Sequence, residues 1–222
     1  MRSYRQYCAV AKALDVVGDR WNLLIVRELA LRGPCRYVDL LGGLPGIATN
    51  LLADRLRDLE RGGVISREDA PPPIATTLFA LTERGEALKP VLVELARWGS
   101  ALMFERPEND AFRAHWVAVM AEMFPLDRAP AEPPATIELR AGEESTSIVI
   151  SGGGVRARPG AAEAPDLVLS GPERLILGVV AGMLDLGDAR ALGLRDEGDP
   201  AVLRRLRPDA PLAEAPGQPA AH

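Results

Sequence analysis

Apolar and polar positions alternate with a helical period between Gly43 and Ile65, in the stretch GLPGIATNLLADRLRDLERGGVI. One face of the helix that this pattern predicts carries three leucines, Leu52, Leu56 and Leu59. The opposite face carries polar residues at the same spacing, Asn50, Asp54, Arg57 and Arg61. Residues three and four apart share a face of a helix, so the leucines are expected to pack on a core while the polar face stays available for another partner.

The segments around this helix predict the element order of a winged helix-turn-helix. Apolar residues at intervals of three and four predict helices over 7–17 and 20–31, with Asp19 as the N-cap of the second. RYVDLLGGL predicts a short third helix before the one described above. VISRED and TTLFAL alternate as paired strands, and a long helix follows from a Thr82 cap, with Pro90 as the site of any kink.

The second half of the chain predicts a smaller α/β domain. Helical periodicity is present over 109–124, and a helix that is apolar on almost every side is expected over 172–185. Short strands of alternating polarity lie between them, at 136–141, 145–151, 154–159 and 166–170. Asp199 and Pro200 open a final helix, because proline is favoured at the first helical position.

Proline-rich stretches divide the chain. ERPEND at 105–110 and PLDRAPAEPPAT at 125–136 read as linkers, and the C-terminal residues have almost no apolar periodicity. We therefore expect one domain over 1–106, a second over 107–208 and a disordered tail over 209–222.

Composition excludes several classes of protein. No apolar run approaches the roughly 18 residues of a membrane span, so we expect a soluble, cytoplasmic chain with no membrane partner. Cys8 and Cys35 form no disulfide framework, and with His115 and His222 far apart the chain offers no metal site. No catalytic or nucleotide-binding motif occurs, so neither an enzyme nor a cofactor is predicted.

Charge is distributed unevenly along the chain. The net charge is −5, but residues 1–105 hold 14 Lys and Arg against 13 Asp and Glu, whereas the remainder holds 12 against 18. The nearly neutral first half can approach DNA, and the acidic second half would be repelled by it.

Several stretches of the first half occur in a fixed order: YCAVAKALDVVGDRW, LLIVREL, RYVDLLGGLPGI, LADRLRDLERGGVI and LTERG. Together they resemble the HxlR family of bacterial transcriptional regulators, a winged-helix group akin to MarR regulators. The resemblance implies a dimer that binds double-stranded operator DNA. One departure is Ala48, where the family usually has Ser, so the cap of the fourth helix is expected to come from Gly46 or Thr49.

The resemblance gives the polar face of the fourth helix a role in the major groove. The expected DNA-binding residues are Thr49, Asn50, Ala53, Asp54 and Arg57, with Arg67 of the first wing strand reaching a phosphate or the minor groove. Asn pairs bidentately with adenine and Arg with guanine, each discriminating by about 1–3 kcal/mol. The alternative is a solvated helix surface with an Asp54–Arg57 ion pair, and an ordinary surface role for Arg67.

The last helix of the first half carries an apolar stripe of Leu92, Leu95, Trp98, Leu102 and Phe104. The resemblance implies that this helix pairs with its twin in a homodimer, and the alternative is packing within its own core. Cys8 matches a position at which some family members carry a redox-sensing thiol. Lys12, one helical turn on, would lower the pKa of that thiol, although an isolated buried cysteine is the alternative.

The spacing of apolar residues and glycines over about 107–207 is similar to sterol-carrier-protein-like domains, which enclose an apolar cavity between a sheet and its helices. The residues expected to bind a small apolar or amphipathic effector are Trp116, Met120, Met123 and Phe124, for which ordinary core packing is the alternative.

The sequence thus predicts an α+β chain with an N-terminal winged helix-turn-helix domain and a small α/β sterol-carrier-like domain. The function it predicts is a dimeric, ligand-controlled transcriptional regulator. The alternatives are a redox-sensing regulator that uses Cys8, and a lipid-binding or interaction protein whose winged helix contacts other proteins.

Overall fold

The computed structural model of the chain describes residues 3–70, 76–99, 102, 110–111, 113–116 and 127–206. The chain divides into two compact units, Met1–Leu92 and Val93–His222. Within the described ranges, no helix is long and apolar enough to cross a membrane. In the same ranges, no group of three or more His, Cys, Asp or Glu side chains is arranged to hold a metal ion.

The described elements up to residue 99 follow the order of a winged helix-turn-helix. They are α1 (Ala9–Val17), α2 (Asn22–Arg32), β1 (Cys35–Arg36), α3 (Tyr37–Gly43), α4 (Thr49–Arg61), β2 (Ile65–Asp69), β3 (Thr77–Leu81), α5 (Glu83–Glu86) and α6 (Lys89–Gly99). β1, β3 and β2 form an antiparallel sheet in that order. Leu52, Leu56 and Leu59 are buried in one core with residues of α2, α3 and the sheet, which confirms the predicted apolar face of α4.

Two details of the α1–α3 region differ from the expectation. α2 begins at Asn22 with no side-chain cap, because the Asp19 carboxylate is bound to Arg55 instead. The backbone carbonyl of Asp19, not its side chain, accepts a hydrogen bond from the Asn22 N–H at 3.0 Å. The two-residue strand β1 was not predicted, because so short a strand shows no alternation of polarity.

The long helix expected after β3 is two helices. Thr82 caps the first, as predicted, by accepting a hydrogen bond from the Gly85 N–H at 3.1 Å. α5 nevertheless ends at Glu86, and α6 begins at Lys89. Pro90 lacks a backbone N–H, and its ring would clash with the carbonyl oxygen of Glu86 in a continuous helix, so the helix breaks before it.

The described strands of the second unit form one five-stranded sheet. Its described elements are a 3₁₀ turn (Ala114–Trp116), β4 (Ala135–Ala141), β5 (Glu144–Ser151), β6 (Gly154–Pro159), β7 (Leu167–Ser170), α7 (Glu173–Val180), α8 (Leu186–Ala191), β8 (Arg195–Gly198) and a 3₁₀ helix (Pro200–Arg205). The strand order is β6-β5-β4-β7-β8, in which β4 and β7 are parallel and the other pairs antiparallel. The predicted strands of this half are confirmed.

One face of this sheet, here called the apolar face, forms the core of the second unit with α7, α8 and the 3₁₀ helix. Ile137 and Leu139 of β4 lie on it, as predicted, opposite Ile148 of β5 and Leu169 of β7. Glu138 points to the other face but is also buried. Its carboxylate accepts hydrogen bonds from Arg140 at 2.6 Å and from the Ala162 N–H at 3.3 Å. The segment between β6 and β7, which contains Ala162, therefore contacts the face of the sheet opposite to the apolar face.

The helices of the second unit are shorter than expected. α7 ends at Val180, and the chain turns through Gly182, whose φ of +69° favours glycine. The last helix is 3₁₀ rather than α, although Asp199 caps it as predicted by accepting a hydrogen bond from the Ala201 N–H at 2.9 Å. α8 and β8 were not predicted, since each spans few residues.

Only part of the helix expected over 109–124 lies within the described residues. There, Ala114–Trp116 form the 3₁₀ turn. The remaining positions of that prediction and the tail over 209–222 lie outside the described residues.

Candidate nucleic-acid interface

The polar face of α4 is open to solvent. Thr49, Asn50, Asp54 and Arg57 are exposed, and Ala53 is half-buried. The leucines on the other side are at most 2% exposed. Because those leucines fix the rotation of α4 about its own axis, the predicted reading residues point away from the core of the first unit.

The start of α4 is held by Tyr37 of α3, which was not among the predicted site residues. The N-cap residue is Ala48, with no side-chain cap, so the expected cap by Gly46 or Thr49 was wrong. The Asn50 side-chain oxygen accepts a hydrogen bond from the Leu51 N–H at 2.9 Å. The Tyr37 hydroxyl of α3 donates to the Thr49 carbonyl, which ties the two helices together. No sequence spacing signals this contact, because it joins separate helices.

Arg57 has local partners on its own helix. Its Nη2 donates a hydrogen bond to the Asp54 carboxylate, and its Nε donates to the Ala53 carbonyl at 3.2 Å. The Asp54–Arg57 ion pair, which was the alternative to a DNA-binding role for this face, is therefore formed in the structure. Both side chains are more than half exposed, so the pair contributes little to stability and opens at a low free-energy cost.

Arg55 connects α4 to the turn between α1 and α2. Its guanidinium binds the Asp19 carboxylate, which belongs to that turn, and its Nη2 lies 2.9 Å from Asp58 one helical turn further along α4. The Arg55 and Asp58 side chains are 19% and 16% exposed, so water screens their bond less than it screens the Arg57 pair. The contact orients α4 relative to α1 and α2. Asp19 and Arg55 are far apart in sequence, so no local pattern predicts their pairing.

The wing carries Arg67 on β2, which is exposed. Its guanidinium lies over the ring of Phe79, the residue directly opposite on β3, with 5.5 Å between Cζ and the ring centroid. Cys35 of β1 stands opposite Phe79 on the other side. The three residues form one row across the sheet, and the cation–π contact aligns the Arg67 stem along the wing.

A buried carboxylate joins α2 to α3. Glu28 is fully buried, with its oxygens 2.7 Å from Arg27 and 3.9 Å from Arg32. Gly43 of α3 lies so close that a Cβ there would approach Glu28 Oε2 to 2.2 Å. Burial lowers the pKa of Arg27, an effect that the neighbouring Glu28 opposes. This close packing fixes the position of α3, the first helix of the helix-turn-helix.

The two cysteines have opposite environments. Cys8 is exposed and occupies the N-cap position of α1. Lys12, expected to act on that thiol, lies 3.9 Å from the Asp15 carboxylate. Cys35 is buried, and burial raises the pKa of its thiol. An oxidant in solution can therefore reach Cys8 far more easily than Cys35.

Two helices expose apolar stripes. Tyr7, at the residue before the α1 cap, and Val10 and Leu14 of α1 are exposed. Val91, Leu95 and Trp98 of α6 are exposed in the same way, Trp98 at 71% of its surface. Large apolar side chains at helical spacing on a surface are typical of a helix that pairs with another helix.

The residues expected to bind an effector are described only in part. Trp116 is half-buried, and its ring centroid is 6.0 Å from that of His115 in an edge-to-face arrangement. Met120, Met123 and Phe124 lie outside the described residues.

Comparison with known proteins relates the first part of the chain to a family of helix-turn-helix proteins. Residues 16–107 match the family model described as HxlR-like helix-turn-helix. The chain is 36% identical over 89 residues to the uncharacterized HTH-type transcriptional regulator YvaP of Bacillus subtilis (strain 168), a match that covers 40% of this chain and 82% of YvaP. It is 35% identical over 86 residues to the HTH-type transcriptional regulator YodB of the same organism, covering 39% of this chain and 76% of YodB.

A solved structure is also similar to this chain. The reduced form of the transcriptional regulator YodB from B. subtilis matches with 30% sequence identity and a TM-score of 0.39, covering 47% of this chain and all of that one.

Proposed function

The chain belongs to the HxlR-like helix-turn-helix family of transcriptional regulators, and from this premise we propose that it is a dimeric regulator that reads operator DNA with α4. The observation that carries the proposal is the polar stripe of α4, which faces solvent while the leucines on the opposite side of the helix are buried in the core. A helix held in this way can enter the major groove without rearrangement of the core.

Asn50 and Arg57 are proposed to read bases, and Thr49 to contact the DNA near the start of α4. Asn50 can pair with adenine and Arg57 with guanine, while the small Ala53 lets the helix approach the base edges closely. Arg57 has to exchange its bond to Asp54 for bonds to a base, and the exposure of that pair keeps the exchange easy. Arg67 is proposed to contact a phosphate from the wing.

Dimerisation is proposed through the apolar stripes of α1 and α6. One winged helix makes few base contacts, whereas a two-fold dimer reads two half-sites about one helical turn of DNA apart. Pairing of the helices would remove Val10, Leu95 and Trp98 from water, which is the main driving force for association of apolar surfaces.

The part of the second unit over about 107–208 is proposed to be a sterol-carrier-like effector domain for a small apolar or amphipathic molecule. Its sheet has one apolar face that packs against short helices, and Trp116 offers a half-buried aromatic surface beside the strands. Such a ligand would change operator affinity through its different affinity for the DNA-competent and DNA-incompetent states, typically by about 1–3 kcal/mol.

Exposure of Cys8 favours a second candidate, a thiol-based redox switch. Oxidation of Cys8 would then weaken operator binding, a thiol reductant would restore it, and Cys8→Ser would abolish the response. A Cys8→Ser chain that still loses affinity on oxidation would exclude this candidate.

The proposed function is tested by selecting binding sites for the full chain from a random pool of double-stranded DNA. We expect enrichment of a two-fold symmetric site, with an affinity that falls steeply as salt rises because phosphate contacts release counterions. No enrichment, together with an affinity that does not depend on salt, would contradict DNA binding.

A further inference from the structure

The second unit buries a hydroxyl group that has no hydrogen-bond partner among the described residues. Thr146 of β5 is 0% exposed, and within the described part of the chain its Oγ1 has no hydrogen-bond partner. A buried hydroxyl that gives up its bonds to water without replacing them destabilises the folded chain. Few such groups occur in folded proteins, so the buried Thr146 hydroxyl needs an explanation.

The surroundings of Thr146 make the hydroxyl unexpected. Thr146 lies on the apolar face of the sheet, opposite Leu139 of β4 and Pro159 of β6. The next residues of β5 on the same face are Ile148 and Ile150, both fully buried. Valine has nearly the shape of threonine and would fit this row of β-branched side chains without an unsatisfied polar atom.

The neighbourhood of Thr146 includes the 3₁₀ turn. That turn lies against β4, β5 and β6. Arg113, the residue before the turn, has its Nε 3.9 Å from Glu144 Oε1, and Glu144 shares the apolar face with Thr146 two residues away. The ion pair therefore brings the turn to the end of β5 at which Thr146 lies.

We propose that the Thr146 hydroxyl is the hydrogen-bonding anchor for the neutral polar group, a hydroxyl or a carbonyl, of an apolar ligand bound by the second unit. This inference rests on the proposed effector function. The apolar body of the ligand lies along the strands near Trp116, and its polar group meets the Thr146 Oγ1. A neutral oxygen satisfies the buried hydroxyl as donor or acceptor, because threonine can serve as either.

The charges on this face favour a neutral polar group over a carboxylate. The strand residues of the apolar face that carry charge are Glu144 and Asp196, both acidic. Arg113 lies beside Glu144, and Arg190 donates two hydrogen bonds to Asp196, at 2.7 and 2.6 Å. A ligand carboxylate buried at Thr146 would lie near the acidic Glu144, with Arg113 already beside Glu144, and it would lose its hydration, which is unfavourable.

The test uses the full chain and three fluorescent long-chain polyenes that share one apolar body: the alcohol, the carboxylic acid and the hydrocarbon. Wild type is expected to bind the alcohol about tenfold more tightly than the hydrocarbon, and more tightly than the acid. Thr146→Val should remove the difference between alcohol and hydrocarbon and should also raise the melting temperature of the unliganded chain. Thr146→Ser keeps the hydroxyl and should keep the difference.

Thr136→Val is the matched control, because Thr136 lies on the opposite face of the neighbouring strand and its loss should leave the preference unchanged. If Thr146→Val retains the wild-type preference for the alcohol, Thr146 is not the anchor, although the effector function stands. Tighter binding of the acid than of the alcohol would contradict the proposal that the polar group of the ligand is neutral. If wild type binds none of the three polyenes, both the effector function and the role of Thr146 fall.

Discussion

Arg205 donates two parallel hydrogen bonds to the carboxylate of Asp127, from Nε to Oδ1 at 2.9 Å and from Nη2 to Oδ2 at 2.8 Å. Its Nη1 donates a third to the Pro133 carbonyl at 2.7 Å. The Asp127 side chain is fully buried and that of Arg205 is 7% exposed. Asp127 lies ahead of β4, and Arg205 ends the last 3₁₀ helix. The pair therefore links the two ends of the described range 127–206.

Removing one partner of this pair should destabilise the second unit strongly. We expect Arg205→Met to lower the free energy of unfolding by about 3–5 kcal/mol, because it leaves a buried carboxylate uncompensated. Urea unfolding followed by circular dichroism measures the change. Arg204→Met is the matched control at the exposed neighbouring position, where a change within about 0.5 kcal/mol is expected. Equal effects of the two substitutions would contradict the role assigned to the pair.

The same pair should make stability depend on pH in the acid range. The hydrogen bonds from Arg205 lower the pKa of Asp127 from 3.8 to about 2 in the folded chain. A carboxyl group with a lowered folded pKa stabilises the fold above its unfolded pKa, and this contribution is lost as the pH falls. The stability difference between wild type and Asp127→Asn should therefore shrink between about pH 4 and pH 2. Asp188→Asn, at an exposed position, should show no such convergence.

Substitutions on the reading face should reduce sequence specificity. Asn50→Ala and Arg57→Ala are each expected to weaken binding to a selected operator by about 1–3 kcal/mol, with a much smaller effect on random DNA, because each removes a base contact. Fluorescence anisotropy with both DNAs measures the ratio. Arg84→Ala, an exposed arginine of α5, is the control for loss of one positive charge. Wild-type ratios in both reading-face variants would show that another surface reads the DNA.

Loss of the Asp54 charge should have the opposite effect on random DNA. Asp54→Asn removes the ion pair of Arg57, and it removes a negative charge that would face the phosphates in the proposed complex. We expect random DNA to bind more tightly and the salt dependence to become steeper, so that discrimination in favour of the operator falls. The control is Asp54→Asn combined with Arg57→Ala, in which the gain on random DNA should be smaller. A gain that does not need Arg57 would exclude the ion-pair exchange.

A charge on the apolar stripe of α6 should disrupt the proposed dimer. Trp98→Glu is expected to weaken self-association by at least tenfold and to lower operator affinity with it, because an interface cannot bury an unpaired carboxylate at low free-energy cost. Sedimentation equilibrium measures the dimer fraction. Leu192→Glu introduces the same charge at another exposed apolar position in the second unit and should leave self-association unchanged. A Trp98→Glu chain that remains as dimeric as wild type would place the interface elsewhere.

Local periodicity predicted much of the architecture. The buried row Leu52, Leu56 and Leu59 was predicted correctly, because helical spacing and polarity indicate which face of a helix is buried. The strands of the second unit were predicted for the same reason. The helix ends were less predictable. Ala48 stands at the N-cap of α4 without a side-chain cap, and Pro90 separates two helices rather than bending one, outcomes that depend on neighbouring segments as well as on local preference.

By itself, the sequence determined the order of the first four helices and the two wing strands, the polar face of α4 and the family to which the chain belongs, because these properties lie in short-range spacing. Only the tertiary structure decided which partners the polar groups have. Asp19 binds Arg55, Asp127 binds Arg205, and the Thr146 hydroxyl, among the residues that the structure describes, has no partner. Residues far apart in sequence come together only through chain folding, and burial then determines the free energy of each contact, which no local pattern records.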